Sequence, residues 1–430
     1  MQLRPYQEKA ITDVRSAFAS GLKSVCLTAP CGAGKTVMFS RVAALAMARN
    51  VRVGILVHRD SLLTQASSKL REFGVQHGII SPGHGNYGDN INVCSVQTLV
   101  RRLDRYNFDL LIADEGHHAT SPTYEKIFAR YPNAKILGVT ATPERTDGRG
   151  LDSVYQKLVL GPSIADLIRD GYLVEPITYG PIHKLDLSGI KTQAGDYNRH
   201  DLALHMDTPR ITADAVQHYT SICAGVPSIA FCVNRKHTED VAASFTAAGY
   251  RSVPVDGSMP LNTIRDRIAG LSDGRVQVLV ACDLISEGVD VPAVVCAINL
   301  RATKSKALHI QQGGRALRPI YAPGFDLSTR AGRLAAIAAS CKPKAVILDH
   351  AANCLRFMTI DEPHEWTLEG RKKRQGKGGA NVPIRQCPKC QKVSKPSAKC
   401  PHCGGEVNDG LSKVDEGEGK IVPLVPEATP

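Results

Sequence analysis

At 430 residues the chain has room for two or three domains with proper cores, and its 43% apolar and 22% charged content is that of a folded globular protein, not a disordered or fibrous one. No run of about 18 apolar residues occurs, so no membrane span is expected, and Met1-Gln2-Leu3-Arg4-Pro5 lacks a signal-peptide core. The formal charge of +12 favours a polyanionic partner.

An apolar run at 24–28 leads into Ala29-Pro30-Cys31-Gly32-Ala33-Gly34-Lys35-Thr36, then Val37-Met38-Phe39. That is strand, glycine loop, helix. Backbone N–H groups of such a loop wrap a polyphosphate, and the helix start adds positive dipole. Gly32, Ala33 and Gly34 form the loop, Lys35 reaches the outer phosphates, and the Thr36 hydroxyl can hold Mg²⁺. Ala29 stands where the general pattern G-x-x-x-x-G-K-[ST] has its first glycine. Strands expected at 51–57, 91–96, 110–113 and 136–139, with a helix at 61–73, set the rhythm of a parallel sheet with crossover helices. The strand at 110–113 runs into Asp114-Glu115-Gly116-His117. Two carboxylates at a strand's C-terminal end suit phosphate-loop chemistry: Asp114 to hold Mg²⁺, Glu115 to polarise the attacking water.

A polar stretch at 181–210 reads as a connector. A second alternating block follows, with strands expected at 228–233, 276–281, 294–300 and 345–349 and helices at 236–248, 261–271 and 305–317. It contains no second phosphate loop, so two α/β lobes with one nucleotide loop suggest a site shared across a cleft. After Trp366 comes a basic linker, Arg371-Lys372-Lys373-Arg374-Gln375-Gly376-Lys377. Cys387, Cys390, Cys400 and Cys403 then form two C-P-x-C knuckles, the pattern of a compact four-cysteine zinc ribbon that draws its folding energy from Zn²⁺. Four thiolates satisfy such a site without His402. The acidic C-terminus reads as disordered. The remaining cysteines sit mostly in apolar runs and read as small buried hydrophobes in a reducing, cytoplasmic compartment. The expected division is 1–180 first lobe, 181–210 connector, 211–366 second lobe, 367–386 basic linker, 387–403 zinc ribbon and 404–430 tail.

Several segments together resemble a known family. Asp114-Glu115-Gly116-His117 is similar to the D-E-x-H box of superfamily 2 (DEAD/DEAH-box) helicases, with Gly116 where named subgroups carry Ala or Cys. Thr140-Ala141-Thr142-Pro143 resembles motif III. Ser286-Glu287-Gly288-Val289-Asp290-Val291-Pro292 resembles motif V, and Gln311-Gln312-Gly313-Gly314-Arg315-Ala316-Leu317-Arg318 fits Q-x-x-G-R-x-x-R, motif VI. Leu3-Arg4-Pro5-Tyr6-Gln7 resembles the R-P-Y-Q element, and the Ala29 form of the loop is also that superfamily's. Within the superfamily these segments resemble the XPB-like and RadD-like branch, with type III restriction motor subunits close by.

The resemblance implies two tandem RecA-like lobes and an ATP-dependent DNA helicase or translocase of replication, recombination or repair. The alternatives are an RNA-dependent ATPase, a restriction-complex motor subunit, or an ATP-controlled nucleic-acid clamp. It implies that Arg4 and Gln7 contact adenine, and that Gly32, Gly34, Lys35 and Thr36 hold phosphates and Mg²⁺. Asp114 and Glu115 serve metal and water, and His117 couples to Thr140 and Thr142. Arg315 and Arg318 enter from the second lobe as arginine fingers beside Gln311, with Gly288 and Asp290 lining the cleft. His58-Arg59-Asp60-Ser61-Leu62 and Ser95-Val96-Gln97-Thr98 resemble motifs Ia and Ib, and Arg235 holds the motif IV position. Arg59, Gln97, Thr98 and Arg235 are therefore the expected phosphate contacts along one strand. No aromatic row suggests base stacking, so sequence-independent binding is expected. The basic zinc ribbon is a further candidate contact for nucleic acid or a protein partner.

Overall fold

A computed structural model describes residues 3–83, 90–145, 150–181, 185–193, 195–282, 291–370, 385–387, 389–390, 392–395 and 397–406. The first sheet contains β1 (Ser24–Thr28), β2 (Val53–Val57), β3 (Gly78–Ile80), β4 (Ile91–Ser95), β5 (Leu110–Asp114), β6 (Lys135–Thr140) and β7 (Lys157–Leu160). Its order is β3-β4-β2-β5-β6-β1-β7, with every neighbouring pair parallel. β1, β2, β4 and β5 are buried along their whole length and are mostly apolar on both faces, with Ser24, Thr28, Asn92, Ser95 and Asp114 as buried polar exceptions. Thr28 sits opposite Thr140, and Asp114 opposite Val139. The loops after β1, β5 and β6 therefore leave one edge of the sheet together, where open parallel sheets bind ligands.

The second sheet begins earlier than the sequence suggests. β8 (Pro176–Tyr179) lies within the expected first lobe but pairs in parallel with the last strand of the second. After it come a small hairpin, β9 (Thr192–Gln193) and β10 (Asp196–Tyr197), and then β11 (Ser228–Phe231), β12 (Ser252–Val255), β13 (Val278–Ala281), β14 (Cys296–Asn299) and β15 (Ala345–Asp349). The order is β12-β13-β11-β14-β15-β8, again all parallel. The boundary expected at 180 is thus corrected: the chain crosses between lobes at about 161–175. β8 is four residues long, and no local pattern records which sheet completes its ladder.

The expected connector at 181–210 is folded onto the second lobe. Asp196, buried, accepts from Arg301 Nη2 (3.2 Å), Thr303 Oγ1 (2.9 Å) and the Lys304 N–H (2.7 Å). Paired on all sides, this carboxylate locks the hairpin to the loop after β14. One apolar cluster runs from the first lobe through Leu167, Leu173 and Val174 to Leu317, Ile337 and Ile347 of the second.

Past the second lobe, the start of the expected linker is pinned to the first lobe. The Leu368 carbonyl accepts from the N–H groups of Leu151 (2.6 Å) and Asp152 (3.1 Å). The chain then returns to the second lobe as β16 (Arg385–Gln386) and β17 (Val393–Ser394) of the cysteine module. A bridge from Lys392 to Tyr179 and a hydrogen bond from Gln386 Nε2 to the Gly180 carbonyl (2.8 Å) set the module on β8, the sheet's edge strand. An edge that would otherwise offer unpaired backbone is covered there. Among the described residues, no helix is long and apolar enough to cross a membrane.

Candidate nucleotide site between the lobes

The helix Pro5–Ala19 starts where Pro at its first position fits the missing N–H. Gln7 reaches back to accept from the Arg4 N–H (3.0 Å), a capping contact that fixes its side chain. Its Nε2 then donates to the Ala33 carbonyl (2.9 Å), as does the Tyr6 hydroxyl (3.0 Å). The R-P-Y-Q element is thereby fastened to the glycine loop. Gly32 and Gly34 both have left-handed backbone, φ +87° and +81°. A Cβ on Gly32 would lie 2.7 Å from Leu173 Cδ2, and one on Gly34 2.5 Å from Gln7 Nε2. The left-handed conformation requires each glycine, and a side chain at either would also displace Leu173 or Gln7. Ala29 is buried and is not among the positive-φ residues, so that position tolerates a Cβ.

These loops enclose a cavity of ≈ 260 Å³ with walls from both lobes. The first lobe contributes Arg4, Gln7, Gly32, Gly34, Lys35, Thr36, Asp114 and Glu115; the second contributes Val291, Gly314, Arg315 and Arg318. Gly314 packs so closely on the glycine loop that a Cβ there would lie 3.1 Å from that of Cys31. Five cationic side chains, counting Lys69, face two carboxylates, which suits a polyphosphate carrying a divalent ion. Cys31, Val37, Leu62, Gln65 and Lys69 complete the wall. None of these five, nor Val291, is among the expected site residues; Leu62, Gln65 and Lys69 come from one face of the helix Asp60–Glu72, a spacing that could have announced them.

Within the wall, Glu115 has φ +48°, uncommon for a residue with a side chain. Its N–H donates to Asp114 Oδ1 (3.0 Å). His117 Nδ1 lies 3.0 Å from Thr140 Oγ1 and 3.4 Å from Glu115 Oε2. The Thr140 hydroxyl gives its proton to the Thr142 carbonyl (2.9 Å), so it can only accept from the imidazole. Nδ1 therefore carries the proton, and the ring ties the carboxylate loop to the loop after β6.

Other expected residues sit elsewhere. Ala33 and His117 stand behind the cavity wall, and buried Gln311 does not line it. The helix Lys306–Gly314 passes into a 3₁₀ turn, Arg315–Leu317, that delivers both arginines; they do not share the face of one continuous α-helix. Gly288 and Asp290 lie outside the described residues. Past them, Lys342, fully buried, donates from Nζ to the carbonyls of Pro292 (3.1 Å) and Val294. Burial, with Arg318 nearby, lowers its ammonium to about 7.

Of the expected strand contacts, Arg59 immediately precedes the helix Asp60–Glu72 without a side-chain capping bond, and Gln97 is exposed, donating to the His58 carbonyl (3.2 Å). Arg235 begins the helix Arg235–Ala247, beside Glu239 (3.1 Å) and Asp256 (3.8 Å). Thr98 is corrected: it is buried within the short helix Val96–Leu99, which withdraws its hydroxyl from the surface.

In the C-terminal module the four cysteine sulfurs all lie within 4.8 Å of one another, with Cys387–Cys403 at 3.7 Å and Cys390–Cys400 at 3.6 Å. A tetrahedral ion with bonds of about 2.3 Å to sulfur needs sulfurs about 3.8 Å apart, so the set fits zinc. Burial raises the Cys387 thiol, but backbone N–H groups of Cys390 and Lys389 outweigh it and bring the group down to about 7, whereas burial pushes Cys390 up to about 12, so the sulfur geometry carries the fit.

Residues 1–145 match the family model of the type III restriction enzyme res subunit, and residues 214–319 that of the helicase conserved C-terminal domain. A 51.5 kDa protein of a Lactococcus phage is 30% identical over 88% of this chain and 77% of its own length. IRC3 of Saccharomyces cerevisiae is 29% identical over 74% of this chain, which spans about half (49%) of IRC3. The DNA 3'-5' translocase XPB2 of Sulfurisphaera tokodaii is 25% identical over 74% of this chain and 79% of its own. In shape, the chain is similar to a fragment from Vibrio vulnificus named for the HsdR subunit of a type I restriction enzyme (TM-score 0.63, 17% identity, 86% of this chain, 67% of the other). It is also similar to S. cerevisiae Dbp5 bound to RNA and ADP BeF3 (TM-score 0.53, 14% identity, 84% of this chain, 93% of the other). With one model on each sheet, relatives aligned across both lobes, and a phosphate loop and two arginines meeting in one cavity, the chain belongs to superfamily 2, the ATP-dependent helicases and translocases, with a four-cysteine cluster at its C-terminal end.

Proposed function

We propose that the chain is a DNA-dependent ATPase that couples hydrolysis to movement on, or remodelling of, DNA in replication, recombination or repair. The observation that carries this reading is the shared wall: Lys35, Asp114 and Glu115 on one lobe face Arg315 and Arg318 on the other across a single cavity. In-line attack on a terminal phosphate builds negative charge on its oxygens, and an arginine supplied from a second body is worth roughly 10³–10⁵ in rate. Hydrolysis then depends on lobe closure, and closure is what a strand lying across both lobes would favour. Arg59 precedes the helix Asp60–Glu72, Gln97 lies in the short helix Val96–Leu99 and Arg235 begins the helix Arg235–Ala247, each following a strand, and all three would supply phosphate contacts.

Lys35 and the loop N–H groups bind the phosphates. Thr36 and Asp114 would hold Mg²⁺, which when bound neutralises phosphate charge. Glu115 orients and deprotonates water, and protonated Nδ1 of His117 holds the Glu115 loop against Thr140. Cys387, Cys390, Cys400 and Cys403 would hold one Zn²⁺. DNA is favoured over RNA by the relationship to XPB2, whose name specifies DNA translocation.

Steady-state ATP hydrolysis with single strands, duplexes, forks and RNA of matched sequence tests the reading. Stimulation by one or more DNAs above RNA is expected. Stimulation by RNA alone would overturn the choice of DNA, and turnover indifferent to every nucleic acid would overturn the motor.

A further inference from the structure

The chain that crosses between the lobes is gripped from both sides beside the nucleotide cavity. On the second-lobe side, Tyr321 donates its hydroxyl to the Gly171 carbonyl (2.7 Å), and Arg330 Nε donates to the Arg169 carbonyl (2.7 Å). Arg333, on the helix Arg330–Ala338, is only 7% exposed. Its Nε donates to the Asp170 carbonyl (2.9 Å) and its Nη1 to the carbonyls of Leu327 and Ser328 (3.0 Å each). Gly171 (φ +72°) lies so close that a Cβ would fall 2.9 Å from that of Arg333. Two residues on, Leu173 packs against Gly32 of the phosphate loop, and the Val174 N–H donates to the Leu317 carbonyl beside Arg318 (2.9 Å).

Between these grips lies Tyr172. The Arg333 guanidinium stacks on its ring at 4.1 Å from the centroid, and the Arg4 guanidinium at 4.6 Å. Tyr6 meets the same ring edge-on, with centroids 5.3 Å apart. Arg4 also donates from Nη1 to the Tyr6 hydroxyl (3.0 Å), and it lines the cavity. A long arginine side chain has many rotamers; these contacts hold it in one. The platform under it is itself held by a buried cation of the other lobe. Arg333 directs its donors to backbone carbonyls, an arrangement that fixes its plane against the ring.

We propose that Tyr172 and Arg333 are positioning residues for base recognition: the second lobe, through Arg333, holds the aromatic platform that presents Arg4 to the purine. This rests on the reading of the cavity as the ATP site and extends it. Separation of the lobes withdraws Arg333, loosens Tyr172 and releases Arg4, so selectivity for the base is greatest when the lobes are closed. Base selection and the arginine-finger contact then arise together, from one movement.

The test measures kcat and KM for ATP and for GTP on the full chain, with saturating single-stranded DNA, for wild type, Tyr172→Leu, Tyr172→Phe, Arg333→Met, Arg333→Lys and Lys35→Ala. A guanidinium stacked on an aromatic face supports a change of roughly 3- to 30-fold. Tyr172→Leu and Arg333→Met are expected to lower the ATP-to-GTP ratio of kcat/KM by that factor, mainly through KM for ATP. Tyr172→Phe, which keeps the ring, is expected to restore the ratio. If Tyr172→Leu does not fold, Arg333→Lys, which keeps charge but loses the planar fork, carries the same expectation. A base-selective, Lys35-dependent wild type whose ratio is unmoved in the variants overturns the positioning role and leaves the ATP site standing. Equal loss on both nucleotides overturns it too, because that is what mere packing gives. A wild type that hydrolyses neither nucleotide overturns both readings.

Discussion

The Tyr155 hydroxyl donates to the Gly116 carbonyl at 3.0 Å, next in the chain to Asp114 and Glu115. The phenol is fully buried, and its ring fills the space a side chain at position 116 would need. A Cβ on Gly116 would lie 2.9 Å from that oxygen and from Gly138 Cα; one on Gly138 would lie 2.2 Å from the same oxygen and 2.4 Å from Cζ. The glycine that sets this D-E-x-H box apart is therefore matched to a tyrosine 39 residues downstream. Leu368, returning from the second lobe, packs in the same small cluster as Tyr155 and Leu151.

Gly138→Ala is expected to destabilise the first lobe more than Gly116→Ala, by roughly 1–3 kcal/mol of overpacking. Tyr155→Phe removes one of two donors to the buried Gly116 carbonyl, the Ala119 N–H (3.2 Å) remaining, and is expected to cost about 0.5–1.5 kcal/mol. Because that carbonyl sits between Glu115 and His117, kcat falls as well. Denaturant unfolding beside steady-state turnover checks both; a Gly138→Ala protein as stable as wild type would contradict the packing argument.

At the nucleotide site, Lys35→Ala and Glu115→Gln are both expected to lose turnover but to differ in binding. Lysine touches phosphates throughout, so its loss weakens ATP binding. Glutamate acts on the attacking water, so its amide slows hydrolysis by roughly 10²–10⁴ with binding retained. Titration with ATP, alongside single-turnover hydrolysis, separates the two. Normal hydrolysis in Glu115→Gln would remove that residue from the mechanism.

Acid is expected to loosen the second lobe. Burial lowers His237 to about 4, His350 to about 3 and His364 to about 4, from 6.5. His237 is held neutral, its Nδ1 accepting from the Val233 N–H (3.3 Å). The unfolded chain binds protons at these sites that the folded chain refuses. Stability is therefore intact above about pH 6.5 and is lost as pH falls towards 3–4, by up to roughly 3 kcal/mol for His237 alone. Melting from pH 7 to pH 4, repeated with His237→Gln, reads this out; an acid slope unchanged by the substitution would contradict the assignment.

The cysteine module covers the edge of β8, and Lys395 pairs with Glu362 at 2.6 Å. Ending the chain near residue 370, or removing zinc from the full chain, is expected to leave basal ATP hydrolysis in place. Truncation, or loss of zinc alone with Mg²⁺ still supplied, should lower the melting temperature of the second lobe and promote self-association through the opened edge. Lysines of the linker and module should also contribute to DNA binding, so truncation should make the salt dependence shallower by roughly one unit per lost phosphate contact on a duplex. One zinc per chain, measured on purified protein, is required; none found would refute the metal.

The parts of this molecule visible in its sequence are those where chemistry demands fixed residues next to a strand end. Lys35, Asp114 and Arg315 announce themselves because loop, carboxylate pair and arginine turn each follow a run of apolar residues or a helix. β15 matches its expected range of 345–349, and the other expected strands and helices are found within a few residues of theirs. β7, β8 and β12 are four residues long and partly exposed, too short for a periodic signal. The switch of β8 to the second sheet is a long-range pairing with Ala345–Leu348, which no local pattern encodes. Tyr172 and Arg333 are hidden for a related reason. A tyrosine between two arginines, one from each end of the motor and both distant in sequence, has no motif until the fold brings them together.

The central claim is that hydrolysis requires a group from the second lobe. The measurement that tests it most directly is DNA-stimulated turnover of Arg315→Ala beside its affinity for ATP. If Arg315 acts as a finger that enters when the lobes close, Arg315→Ala is expected to bind ATP within about threefold of wild type while stimulated turnover falls by roughly 10³ or more. Full stimulated turnover in Arg315→Ala, with the same result in Arg318→Ala, would contradict it.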